Sequence, residues 1–206
     1  MAVPVRRSLS AVAQTVLEAP ARAGATRVVA VDGPSGAGKT TLSRRLSRRL
    51  RARTVHLDDI YPGWDGLAAT PRLVVEQILA PLAAHRPVVY RSWDWGADAP
   101  GKLREVPSRD VLVLDGVGSG AGLCVPYLST VIWVDAPVEV RKARGLDRDG
   151  QTYRPHWERW AAQERAHFAT ERTWERADLL VEGDPDLDHD PAEEVVTFTA
   201  DTPRCR

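Results

Sequence analysis

Cysteine and long apolar segments are scarce in this 206-residue chain. Its two cysteines, Cys124 and Cys205, are far apart and lack the spacing of metal ligands. This excludes a disulfide scaffold and a zinc site, and it suits a reducing interior. No stretch approaches the ~20 apolar residues of a membrane span, and no signal-peptide pattern opens the chain. We therefore expect a cytoplasmic protein without a membrane partner.

Excess charge of either sign is also missing, since 28 basic residues balance 28 acidic ones. The sequence thus predicts no general attraction to nucleic acid, and small molecules are the expected partners. Lysine occurs only at Lys39, Lys102 and Lys142, so a lysine inside a motif is informative in a chain that otherwise uses arginine. The length and the 43% hydrophobic content predict one domain over residues 1–206. Whether the chain forms a homo-oligomer is left open.

The most specific motif is a glycine-rich segment that fits G-x-x-x-x-G-K-[ST], the P-loop. It lies between the apolar strand 28–31 and a helix with leucines at four-residue spacing, the context that gives this pattern its meaning. Its backbone N–H groups and the following helix N-terminus are expected to bind the phosphates of a nucleoside triphosphate. Lys39 is expected at the β- and γ-phosphates, and the Thr40 hydroxyl at Mg²⁺. The predicted nucleotide-binding residues are Gly33, Pro34, Ser35, Gly36, Ala37, Gly38, Lys39, Thr40 and Thr41.

Apolar strands alternate with amphipathic helices along the chain, which predicts an α/β fold of the P-loop NTPase type. We expect a parallel sheet of about five strands with helices on both faces and ligands at the strands' carboxyl ends. The predicted parts are a leading helix at 8–18, the strand and P-loop at 27–40, a helical lid at 141–155, and an acidic tail at 184–206.

Two carboxylates follow predicted strands. Asp115 ends the strand 111–114, where a Walker B carboxylate would orient Mg²⁺; the alternative is that it caps the turn before Gly116. Asp58 follows the strand 54–57 and is the candidate base for an acceptor hydroxyl. Its neighbour Asp59 is as compatible with a turn as with function. The sequence lacks the guanine signature of GTPases and the Asp-Glu pair of hydrolytic motors.

The predicted lid carries Arg141, Arg144 and Arg148, and such arginines are expected to neutralise charge that develops on the transferred phosphoryl group. Arg144 and Arg148 are the candidate catalytic residues among them, with Lys39 of the P-loop, and Arg141 is a candidate substrate contact. The alternative is a solvated basic helix face. Tyr61 is expected either to stack on a substrate ring or to pack in the core. The tryptophans Trp64, Trp93 and Trp95 weakly favour a ring-shaped substrate, and the alternative is that they are interface or core residues.

These residues resemble the uridine kinase and phosphoribulokinase group of P-loop kinases, from the P-loop to the last strand. Asp58-Asp59-Ile60-Tyr61 is similar to the family's D-x-F-Y, and this resemblance implies that Asp58 is the catalytic carboxylate. Arg141, Arg144, Arg148 and Asp149 reproduce the spacing of the uridine kinase lid. Trp93-Asp94-Trp95 resembles the family's substrate-recognition loop, and Asp65 stands near its ribose-binding aspartate.

The departures concern the acceptor. The Walker B strand ends in Asp115-Gly116 where uridine kinases have Glu-Gly, the segment after Asp58 is shorter, and no histidine follows Trp95 to contact a pyrimidine. We therefore expect an ATP- and Mg²⁺-dependent small-molecule kinase, with a nucleoside as the leading acceptor. The alternatives are a kinase of another alcohol, such as a sugar phosphate, a pantothenate-like acid or an antibiotic, and a non-catalytic ATP-binding switch. The arginine-rich stretch 44–53 is interpreted as a solvent face rather than a nucleic-acid site.

Overall fold

The computed structural model describes residues 3–198, with the side chains of residues 148–153 excepted. Its main sheet has seven strands in the order β1-β9-β8-β7-β2-β6-β3, and a separate hairpin joins β4 to β5. The strands are β1 Pro4–Ser8, β2 Arg27–Asp32, β3 Arg53–His56, β4 Val88–Asp94, β5 Ala99–Val106, β6 Val111–Asp115, β7 Thr130–Asp135, β8 Leu179–Glu182 and β9 Glu194–Phe198.

Helices connect the strands and cover the sheet. The α-helices are α1 Leu9–Glu18, α2 Lys39–Leu50, α3 Thr70–Val74, α4 Ala80–Ala83, α5 Val138–Tyr153 and α6 Trp157–Glu171. A π-helical turn at Val75–Leu79 joins α3 to α4. Short 3-10 turns lie at Leu57–Asp59, Leu67–Ala69, Val125–Tyr127, Arg154–His156 and Thr173–Glu175. No helix within the described residues combines the length and hydrophobicity needed to cross a membrane.

The sheet is parallel in its centre and buried on both faces. β2 pairs in parallel with β6 and β7, and the outer strands β3 and β8 extend this order. Alternate residues of β2 enter different cores: Val29 and Val31 pack with α1 and α2, whereas Val28 and Ala30 pack with α6 and the helical segment 70–83. This arrangement is the expected α/β architecture with helices on both faces.

The predicted number of about five strands is wrong, because two antiparallel strands extend one edge. β9 pairs antiparallel with β8, and β1 pairs antiparallel with β9. All five residues of β1 are exposed, so its sequence carries no alternation of buried and exposed residues that would predict a strand. Residues 199–206 of the predicted acidic tail lie outside the described residues.

Candidate functional site

The P-loop follows β2 and turns sharply into α2. Gly33 has a φ of +136°, and a Cβ there would lie 2.0 Å from the carbonyl oxygen of Val134 on the neighbouring strand. Gly36 has a φ of +78°, and a Cβ there would lie 2.2 Å from the carbonyl oxygen of Arg141 on α5. Only glycine fits such close backbone approaches at positive φ. The loop is therefore held between the strand edge and the start of α5.

The N-terminus of α2 is open to a ligand. Its N-cap is Gly38, and no side chain caps the first turn. The first N–H groups of a helix lack intrahelical partners and favour an anion. Lys39 is 8% exposed, and its Nζ donates to the carbonyl oxygen of Pro34 at 2.9 Å within the same loop.

A cleft of about 240 Å³, which we call the P-loop cleft, opens beside this helix end. It brings together the P-loop, the 3-10 turn after β3, the end of β6 and α5. Among its lining residues are Ser35, Gly36, Gly38, Lys39, Thr40, Thr41, Arg44, Asp58, Asp115 and Arg144. Residues far apart in the chain, Lys39, Asp58 and Asp115, thus share one cleft.

Asp115 is 3% exposed, and its two carboxylate oxygens have different surroundings. Its Oδ2 lies 2.8 Å from Nδ1 of His56, and this hydrogen bond raises the pKa of the imidazole above its usual value. Its Oδ1 is buried and has no hydrogen-bond partner among the described residues. A buried, unpaired carboxylate oxygen is costly unless a donor or a cation binds it. Together with the Thr40 hydroxyl in the same cleft, it offers the hard oxygen ligands that suit Mg²⁺.

Asp58 lies in the 3-10 turn that directly follows β3. Its side chain is exposed and lines the cleft, and its carbonyl oxygen accepts a hydrogen bond from Nε1 of Trp95 at 2.8 Å. Tyr61, predicted as a substrate contact or a core residue, is 2% exposed and donates its hydroxyl to the carbonyl oxygen of Val117 at 3.0 Å. The structure thus places Tyr61 in the core, where it contacts Trp160 edge to face.

The predicted lid arginines differ in their surroundings. Arg141 donates from Nε to the carbonyl oxygen of Ala136 at 3.0 Å and from Nη1 to that of Ser35 at 3.4 Å. Arg144 lines the cleft and donates to the carbonyl oxygen of Gly183 and to Asp184. The side chain of Arg148 lies outside the described residues. In this conformation Arg141 therefore braces the P-loop, and Arg144 joins the cleft to the segment after β8.

The other predicted substrate contacts are not among the residues that line the P-loop cleft, and they lie on the segment after Tyr61 and on the β4–β5 hairpin. Asp65 is exposed and pairs with Arg159 of α6, which lowers the pKa of its carboxyl group. Asp94 accepts hydrogen bonds from the amides of the following turn. Trp93 ends in a buried Nε1 that has no hydrogen-bond partner among the described residues.

Two buried acids that sequence reasoning missed hold the P-loop in place. Asp32 is fully buried and accepts the amides of Gly33, Gly118 and Gly120, and burial nevertheless raises the pKa of its carboxyl group. The sequence feature that could have identified Asp32 is its position directly before Gly33, the first glycine of the P-loop.

The second buried acid is Glu164, which lies on α6 and is 4% exposed. It accepts the amide of Ser35 at 2.8 Å and Nε1 of Trp160 at 2.9 Å, and it lies 3.9 Å from Arg141. Nothing in the sequence relates Glu164 to a loop 129 residues earlier.

Comparison with known proteins identifies the fold. No protein-family model matches the chain, and no curated protein matches it. A possible uridine kinase from Bacillus stearothermophilus has a similar structure, with a TM-score of 0.60 and 22% identity over 84% of this chain and 96% of that chain. A candidate fructose transport system kinase from Silicibacter sp. TM1040 gives a TM-score of 0.55 and 22% identity over 83% of this chain and 95% of that chain. The chain therefore has the fold of uridine kinase-like P-loop kinases.

Proposed function

We propose that the protein is a Mg²⁺-dependent kinase that transfers the γ-phosphoryl group of ATP to a hydroxyl group of a small molecule. The observation that carries this proposal is that Asp58 lines the same cleft as Lys39, Thr40 and Asp115. Phosphoryl transfer needs a phosphate-binding loop, a metal site and a carboxylate for the acceptor hydroxyl in one place. A protein that only binds nucleotide has no use for the last of these.

Each residue then has a defined task. Lys39 and the amides at the start of α2 bind the β- and γ-phosphates, for which Lys39 exchanges its bond to Pro34 for a phosphate oxygen. Asp58 orients the acceptor hydroxyl and takes its proton as the hydroxyl oxygen bonds to the γ-phosphorus, while the bond from that phosphorus to the β–γ bridging oxygen breaks and ADP leaves. Arg144 and Arg148 neutralise the charge on the transferred group, and Arg141 holds the P-loop beneath it.

Thr40 and the free Oδ1 of Asp115 are the proposed Mg²⁺ ligands, and the hydrogen bond from His56 fixes the other oxygen of Asp115. When bound, Mg²⁺ neutralises phosphate charge and orients the triphosphate. The unpaired Oδ1 supports this assignment, because the described residues leave it without any other partner.

The acceptor is proposed to be a nucleoside, as the resemblance implies, with Asp65, Trp93 and Asp94 on its side of the site. One observation favours the second candidate, a kinase of a smaller alcohol. The ring of Trp64 stacks on His156 at 4.2 Å with an interplanar angle of 8°, and it also contacts Trp95 at 4.9 Å. One face of this tryptophan is therefore covered by the protein itself rather than left open for a base.

A Mg²⁺-dependent transfer assay tests the proposal. Purified protein is incubated with ATP and a panel of nucleosides, sugar phosphates and other small alcohols, and ADP release and the mass of any phosphomonoester are measured. Asp58→Asn should lower kcat by at least about 100-fold while leaving the Kd for ATP within about 2-fold, because the base acts only on the acceptor. Lys39→Ala should lose both nucleotide binding and transfer.

The matched control is Asp59→Asn, which neutralises the neighbouring carboxylate. Asp59 accepts a hydrogen bond from Tyr90 at 3.2 Å, and asparagine can still accept it. Retention of transfer by Asp58→Asn would contradict the assignment of the base. Tight ATP binding without transfer to any alcohol in the panel would favour the switch protein.

A further inference from the structure

A second cleft, of about 440 Å³, borders the P-loop cleft at the edge strand β3. We call it the basic cleft, and its basic lining residues are Arg44, Arg48, Arg51, Arg53, His56 and Arg109. Arg44 lines both clefts. His56 lines the basic cleft and forms a hydrogen bond with Asp115 of the P-loop cleft. The two cavities are therefore neighbours that share a wall.

Within the described residues, four arginines of the basic cleft lack side-chain partners, unlike the other arginines of α2, and Arg109 donates only to the carbonyl oxygen of its neighbour Ser108. Arg45 donates to the carbonyl oxygen of Glu194, and Arg49 pairs with Glu193. By contrast, no ion pair or side-chain hydrogen bond within the described residues involves the guanidinium groups of Arg44, Arg48, Arg51 and Arg53. One side of α2 thus has hydrogen-bond partners at the start of β9, a backbone carbonyl for Arg45 and a carboxylate for Arg49, while the guanidinium groups that line the cleft have no such partners within the described residues.

Local sequence does not explain this concentration of charge. Arg48 and Arg51 lie at the C-terminal end of α2, where cations complement the helix dipole. Arg53 and Arg109, however, come from β3 and from the segment before β6, and only the tertiary structure brings them to the same cleft. The protein has no net charge, so this local excess of positive charge is not a consequence of composition.

We propose that the basic cleft is a second anion site, which binds a small molecule carrying more than one phosphate group. Guanidinium groups form paired hydrogen bonds with phosphate, and several of them around one concave site suit a ligand with several phosphates. The Ser47 and Thr54 hydroxyls, 2.6 Å apart, add polar groups to its lining. A nucleic acid is less favoured because a long phosphate backbone needs an extended basic surface, whereas these cations line one compact cleft. The inference does not depend on the proposed kinase activity.

Calorimetric titration with sodium tripolyphosphate tests the site. All proteins carry Lys39→Ala, which weakens phosphate binding at the P-loop. Adding Arg48→Gln with Arg53→Gln should weaken tripolyphosphate binding by at least about 10-fold, because two charge-assisted contacts are removed. Arg51→Gln with Arg109→Gln, from different segments, should have the same effect and keeps the test valid if the first variant folds poorly, as judged by circular dichroism.

The matched control is Arg22→Gln with Arg86→Gln, which removes the same charge at two exposed positions outside the cleft. It should leave the affinity within about 2-fold, as expected when only the long-range field changes. Equal affinity in all variants would overturn the proposal. A short single-stranded DNA that binds more tightly than tripolyphosphate, and loses that binding in the same variants, would overturn it in favour of a nucleic-acid contact.

Discussion

Asp135 should destabilise the folded protein at neutral pH, and its replacement by asparagine should reveal this. It ends β7, and burial raises the pKa of its carboxyl group from 3.8 to about 6 despite the hydrogen bond from the amide of Ala136 and the nearby charges of Arg141 and Lys39. Because the pKa is higher in the folded state, folding takes up a proton at pH values between these two pKa values. Below pH 3.8, Asp135 is protonated in both states and does not lower the free energy of unfolding. As the pH rises through about 6, the free energy of unfolding falls, because the unfolded state loses its proton more readily than the folded state.

The magnitude follows from the difference between the two pKa values. Each pKa unit corresponds to about 1.4 kcal/mol, which gives a ceiling of about 3 kcal/mol at pH 7 and above. Because the side chain is only partly buried, we expect about 1–2 kcal/mol. The Asp135→Asn change keeps an oxygen that can accept from Ala136, at 2.8 Å in the structure. It should raise the free energy of unfolding by this amount at pH 7–8 and leave it nearly unchanged at pH 4.

Urea unfolding of both proteins at several pH values between 4 and 8 measures this difference. Asp188→Asn, an exposed change in the segment after β8, is the matched control and should show no pH-dependent difference. An Asp135→Asn protein that is less stable at every pH, or more stable by the same amount at pH 4 and pH 8, would refute the reasoning.

Two further predictions concern residues that support the cleft. Tyr61→Phe leaves the buried carbonyl oxygen of Val117 unpaired, so the free energy of unfolding in urea should fall by about 1 kcal/mol. The acceptor KM should stay unchanged, and a large rise in KM would instead indicate a substrate contact. Glu164→Ala removes the acceptor of the Ser35 amide and one of the two acceptors of the Trp160 indole N–H, and it should lower thermal stability more than Glu164→Gln, which keeps one acceptor oxygen. Equal losses would contradict this role.

Sequence reasoning was strongest where function depends on local geometry. The P-loop is a continuous segment whose glycines, lysine and threonine lie within one turn and the start of one helix, so the spacing alone predicts its shape. The strands that lead to Asp58 and Asp115 are short apolar runs, and parallel strands end at the same edge of a sheet. Their common cleft was therefore predictable before the structure was known.

Sequence reasoning failed where long-range pairing decides the structure. β1 is fully exposed, and its backbone pairing with β9, almost 200 residues later, makes it a strand. The hairpin of β4 and β5 places Trp93 and Asp94 at a strand end, where the sequence indicated a loop. Whether such an edge segment forms a strand depends on the strand that pairs with it. The spacing of apolar residues within the segment does not identify that partner.

By itself, the sequence determined the α/β class, the position of the P-loop and the two carboxylates that follow neighbouring strands, because these features depend on local spacing and on the rule that parallel strands end together. Only the tertiary structure decided which charges meet. It brought Glu164 to the amide of Ser35 and His56 to Asp115, and it gathered arginines from three segments into one cleft. Pairing of charges depends on distances in space, which the order of residues along the chain does not contain.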